Sequence, residues 1–248
     1  LTPLGFQKLK GRHPYFVRMI GDEIVQVIAL RSESVGIIGK RAFNILGGIA
    51  TVYRHTIDLT VNPRDNLNWL NELHYFIPEE NPDRDLLNKI IVFKYGENNE
   101  QELINQLNYS LDLTKQLMLP KLDKVKNLEE CMKFICKYSY GSSQFISIYE
   151  SEDYGNSNLN NSYIDGLYIH RFFSAKQYIE FLCTLSEDSS DDESEEQKAN
   201  AKNNIEKLYN RIKNLFENSS KINNVEIELA KRKIRNQEIL KSYNLIKE

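Results

Sequence analysis

The chain has 248 residues, 41% of them hydrophobic and 27% charged, with a net charge of −3. That length can bury a large core without disulfides or metals, and no apolar run approaches the roughly 20 residues of a membrane-spanning helix. Nothing at the start of the sequence has the pattern of a secretory leader, so we expect a soluble cytoplasmic protein.

The net charge hides three blocks of different sign. Residues 1–54 hold eight Lys/Arg against three Asp/Glu, and residues 197–248 hold twelve against six. The middle, residues 55–196, therefore holds 12 Lys/Arg against 26 Asp/Glu. Such blocks can steer a partner of opposite charge, or they can satisfy each other within one molecule.

The first portion predicts an antiparallel sheet. Two runs rich in β-branched and aromatic residues, Pro14–Ile20 and Glu23–Arg31, flank Gly21-Asp22 and predict a hairpin. Both faces of the second run are largely apolar, which is typical of a central strand.

Further elements follow before residue 100. Phe43–Tyr53 predicts a third strand, where Gly47-Gly48 indicate a bulge or a close backbone approach. The remaining elements predicted here are a strand around Arg54–Val61, a short helix at Asn66–Leu73 and a strand at Lys89–Tyr95.

Helices dominate after residue 100. Gln101–Met118 has an apolar stripe at helical spacing, and we expect Pro120 to end this helix. Asn127 is a candidate N-cap for the next helix, with Glu130 three residues on. The cysteines Cys131, Cys136 and Cys183 are an odd number in apolar helical contexts, which favours reduced core thiols.

The remainder predicts an appendage and a tail. The predicted elements are strands at Gln144–Tyr149 and Tyr163–Phe173, a helix from Ser174, an acidic flexible linker at Ser186–Glu196, an amphipathic stripe from Ile205 to Phe216 and a last helix at Asn224–Leu245. We therefore expect an α+β body over residues 1–140, an added hairpin and helix over 141–185, the linker over 186–196 and a helical tail over 197–248.

One resemblance concerns residues 1–140. The features that carry it are Leu4-Gly5-Phe6, the Gly21-Asp22 hairpin with its IVQVIALRSE strand, and LPKLDK at residues 119–124 before NLEECMKFI. Their order is similar to a bacterial domain-of-unknown-function family, DUF 4304. The resemblance implies a curved antiparallel sheet and a turn at LPKLDK that joins two helices, and it implies no catalytic residues.

Motifs for specific chemistry are missing. Gly36–Arg41 has neither the first glycine nor the Ser/Thr of a phosphate loop, and the isoleucines in its GIIG segment suit an RNA-binding loop poorly. The four histidines, His13, His55, His74 and His170, show no metal-binding spacing, so no metal or cofactor is expected.

The favoured function is recognition of another protein, as in small immunity-type proteins that neutralise toxins. Such a partner would be basic and would face acidic residues of the middle block, of which the candidates are Glu72, Glu79, Glu80, Asp83 and Asp85. The oligomeric state stays open.

Two alternatives remain. An enzyme or small-ligand protein could assemble its pocket from polar and aromatic residues that follow the first sheet, namely His55, Asp58, Trp69, Glu72 and His74. Nucleic-acid binding through Lys231–Arg235 in the tail is less favoured, because aromatic residues that could stack on bases are missing around this segment.

Overall fold

The computed structural model describes residues 1–34, 40–61, 63, 70–77, 91–94, 100–138, 203 and 219–246. It shows a mixed α+β fold, an antiparallel sheet with helices, as predicted. The chain divides into two compact units. The first comprises Leu1–Val52, Ile57–Tyr140 and Gln237–Glu248, and the second comprises Tyr53–Thr56 and Gly141–Asn236.

The sheet of the first unit has six strands among the described residues. They are β1 (Gln7–Lys8), β2 (Tyr15–Ile20), β3 (Ile24–Ser34), β4 (Lys40–Thr51), β5 (Leu70–Glu72) and β6 (Ile91–Lys94). The strand order is β1-β2-β3-β4-β5, and every pair is antiparallel. Strand β5 pairs with Leu46–Gly48 of β4, whereas β6 pairs with the start of β4, Lys40–Phe43. The predicted strand at Lys89–Tyr95 is thus confirmed.

The predicted hairpin is formed by β2 and β3. Ile20 pairs with Ile24, so the loop holds three residues, and Gly21 enters it at φ 60. This left-handed conformation suits glycine, which has no Cβ to clash. Strand β3 lies between β2 and β4, and its residues from Ile24 to Ala29 are buried, so the prediction of a central strand is confirmed.

Strand β4 runs past Gly47 and Gly48 without a bulge. Gly47 pairs with Ile28 on β3 and with Asn71 on β5 in regular register. A Cβ on Gly47 would collide with the side chain of Met118, with its Cε at 2.8 Å and its Cγ at 3.2 Å, and with the sulfur closer still. A close approach of a helix therefore explains this glycine.

Two predicted elements are wrong. Residues 54–61 form bends and irregular structure, and at Asp58 the side-chain Oδ1 accepts hydrogen bonds from Thr60 N (2.8 Å) and Thr60 Oγ1 (2.7 Å). Ile57 and Leu59 are buried on either side of Asp58, and this alternation gives the segment its strand-like pattern. Residues 70–72 of the predicted helix at Asn66–Leu73 are strand β5, since they pair with the edge of β4.

The helical layer is nearly continuous from residue 100 to 123. Its elements are α1 (Glu100–Leu113), a π-helical turn (Thr114–Met118), α2 (Leu119–Asp123) and, after a short break, α3 (Leu128–Tyr138). A 3-10 turn at Leu73–Phe76 lies against this layer, where the rings of Phe76 and Phe134 stack at 6.2 Å.

Pro120 does not end the helix. Leu119 N–H donates to the carbonyl of Thr114, five residues back, and the chain stays helical to Asp123. In an α-helix the ring of Pro120 would meet the carbonyl of Gln116. The π-helical turn changes the backbone hydrogen bonding just before the proline ring. The helix therefore ends at Lys124, the last residue of LPKLDK, which caps α2.

Asn127 is the N-cap of α3, as predicted. Its side-chain oxygen accepts from Glu130 N at 2.9 Å, while Glu130 Oε2 accepts from Lys126 N at 2.7 Å. The carboxylate thus reaches one residue further back than in the usual capping box. Cys131 and Met132 are buried on this helix.

The last helix, α4, spans Ser219–Ser242 and begins before the predicted Asn224. It ends in a Schellman motif: Asn244 has φ 59, Leu245 N donates to Leu240 O, and Asn244 N donates to Lys241 O. Its end is joined to the sheet of the first unit, because Gln237 Nε2 donates to Asp22 O and Tyr243 O accepts from Gln7 Nε2.

Several predictions lie outside the described residues. They concern the segment Gly36–Gly39, the strands Gln144–Tyr149 and Tyr163–Phe173, the helix from Ser174, the linker Ser186–Glu196, the stripe Ile205–Phe216, and the domain boundaries near residues 185 and 196.

The contact at Gly47 predicts the effect of adding a methyl group. We expect Gly47→Ala to lower the free energy of unfolding by about 1–3 kcal/mol, because its Cβ overlaps Met118 in a packed core. Urea denaturation measures this change. Gly11→Ala is the control, since its Cβ would meet nothing within 4 Å. Gly47→Ala combined with Met118→Ala should cost less than the sum of the single changes, and simple additivity would contradict the overlap.

Candidate functional site

The best-defined polar cluster near the predicted pocket is centred on Glu72. Arg31 Nη1 donates to Glu72 Oε1 at 2.8 Å, and Asn44 Nδ2 donates to Glu72 Oε2 at 2.7 Å. Arg31 and Asn44 are register partners on β3 and β4, while Glu72 is the last residue of β5. The carboxylate therefore ties three strands together.

Burial strengthens this cluster. The side chains of Arg31 and Glu72 are 11% and 24% exposed, so their ion pair is partly removed from water. Breaking such a pair leaves one charge in a poorly solvated position. With hydrogen bonds to both of its oxygens, Glu72 has a structural role at this position.

The other residues of the predicted pocket have varied positions. Asp58 is held in its turn by Thr60, whereas His55 is exposed and belongs to the segment 53–56 of the second unit. Trp69 and the side chain of His74 lie outside the description. The structure thus shows Glu72 and Asp58 bound to different partners, and the five-residue pocket stays a prediction.

Asp58 acts electrostatically on the C-terminal tyrosine. Burial raises the pKa of the Tyr243 hydroxyl above its ordinary value of 10.0, and the negative charge of Asp58 raises this pKa further. Both effects penalise the phenolate. Tyr243 directly follows α4, and its carbonyl accepts the hydrogen bond from Gln7. The hydroxyl with the raised pKa therefore lies at the end of α4.

A second polar cluster joins the sheet to the helical layer. Arg18 donates to Gln26 Oε1 through Nε (2.9 Å) and Nη2 (2.5 Å), to Asp123 Oδ1 (2.5 Å) and to Leu4 O (2.9 Å). Its guanidinium lies 4.4 Å from the centroid of the Phe6 ring. Gln26, fully buried, donates from Nε2 to Leu122 O at 2.8 Å.

Sequence reasoning missed both clusters. The one available signal was Gln26, an amide within an otherwise apolar central strand, which must find hydrogen-bond partners when buried. Arg31 and Asn44 gave no signal, because their partner Glu72 is distant in sequence.

The basic segment of α4 is only partly exposed. Arg232 is fully buried, and its Nη1 donates to Tyr53 O at 3.3 Å. Lys233 lies 5.5 Å from the centroid of the Tyr53 ring, and its Nζ donates to the Tyr53 hydroxyl at 3.3 Å. Lys231 and Arg235 are exposed. Two of the four basic residues in Lys231–Arg235, Arg232 and Lys233, therefore bond Tyr53.

Asn236 adds to this support. It is fully buried, and its Nδ2 donates to Arg54 O at 2.7 Å. Together with Arg232, it satisfies two consecutive backbone carbonyls that follow the end of β4. Buried carbonyls without such partners would be costly.

The described part of the chain has neither a metal-binding group nor a membrane-spanning helix. Among those residues, no group of three His, Cys, Asp or Glu side chains could hold a metal ion. No helix in the same ranges combines the length and apolar character needed to span a bilayer. Four of the acidic residues predicted to face a partner lie outside the described residues: Glu79, Glu80, Asp83 and Asp85.

Comparison of the chain with protein-family models, curated proteins and solved structures found no match. The resemblance to DUF 4304 therefore stays a prediction.

The Glu72 cluster predicts a stability effect. Glu72→Ala should lower the free energy of unfolding by about 2 kcal/mol, because Arg31 loses its counter-charge in a poorly solvated position. Urea denaturation is the measurement. Asp112→Ala, which removes the exposed ion pair with Lys115, is the control and should cost less than about 0.5 kcal/mol. Equal effects of the two changes would contradict the structural role of Glu72.

The tyrosine predicts a pH effect. The pKa of Tyr243 is higher in the folded state than in the unfolded state. Its contribution to the free energy of unfolding is therefore fully present below pH 10.0 and is lost as the pH rises through the folded pKa. Wild type should therefore lose stability more steeply above pH 10.0 than Tyr243→Phe. Urea denaturation from pH 8 to about pH 11 gives the two slopes. Identical slopes would show that the hydroxyl is not perturbed.

Proposed function

We propose that this protein is a non-catalytic recognition module that binds a basic protein partner through its acidic middle block, residues 55–196. The observation that carries the proposal is the segregation of charge, with 26 Asp/Glu against 12 Lys/Arg in this block and an excess of Lys/Arg on both sides. An immunity-type role, in which the chain neutralises a basic toxin by binding it, is one form of this proposal.

Helix α1 supports the proposal within the described residues. Its 14 residues include three acidic and no basic side chains; Glu100 is exposed, and the exposed Asp112 pairs with Lys115 of the next turn. A surface of one sign attracts a partner of the other sign and accelerates its association. The acidic character of the block thus extends to an exposed helix.

The polar clusters of the sheet support a non-catalytic role. Arg18 and the buried Gln26 form hydrogen bonds that connect the sheet to α2, and Arg31 and Glu72 form a hydrogen bond that connects β3 to β5. These side chains maintain the fold. Glu72 in particular belongs to the acidic block, but both of its oxygens are engaged internally, so we exclude it from the proposed binding surface.

The first experiment identifies the partner. The tagged full-length protein is captured from its source cells at low salt, and co-purifying proteins are identified by mass spectrometry. The purified partner is then mixed with the protein in a stopped-flow instrument at increasing ionic strength. We expect the association rate to fall by about tenfold between roughly 0.02 and 0.5 M salt, because screening removes the long-range attraction.

Charge reversal localises the attraction. The variant with Glu79→Lys, Glu80→Lys, Asp83→Lys and Asp85→Lys should associate much more slowly, whereas Lys8→Glu with Lys10→Glu, at exposed positions outside the block, should not slow association. A partner that binds at a salt-independent rate would overturn the proposal. Failure to recover any stoichiometric protein would also overturn it.

A further inference from the structure

We draw no further inference here: the strongest candidate, the face of α4 on which Ile227 and Ile234 are 56% and 60% exposed, is an apolar surface patch, and nothing in the described residues shows what covers it.

Discussion

The close contact between Gly47 and Met118 joins the sheet to the helical layer. Any side chain larger than hydrogen at position 47 would occupy the space of the Met118 thioether. Met118 reaches this position at the end of a π-helical turn, where Leu119 N–H bonds to Thr114 O. The turn thus admits the following proline and presents the methionine to the sheet. Packed interiors leave little room for such an element to shift.

Burial of β3 on both faces creates a second constraint. Gln26 lies in the middle of this strand, and an unpaired amide there would cost more than its hydrogen bonds contribute. Arg18 and the carbonyl of Leu122 satisfy it, and Arg18 in turn bonds Asp123 at the end of α2. The polar groups in the core therefore also orient the helical layer.

Helices α1 and α4 carry exposed charged residues among the described ranges. Lys231 and Arg235 are exposed on α4, but Arg232 and Lys233 of the same segment support residue 53. Helix α1 has three acidic and no basic residues, with Glu100 exposed at its start.

The sequence by itself determined the elements whose pattern is local. The hairpin of β2 and β3, the central position of β3 and the Asn127 cap depend on alternation, a turn glycine and a side chain that reaches three residues ahead. Tertiary structure decided what depends on distant neighbours. The Asp58 side chain bonds Thr60 N in a segment whose apolar alternation predicted a strand. Residues 70–72 pair with β4 and are a strand, and a π-helical turn lets the helix continue past Pro120. The Glu72 cluster joins residues of three strands that are distant in sequence, so no spacing in the sequence could reveal it.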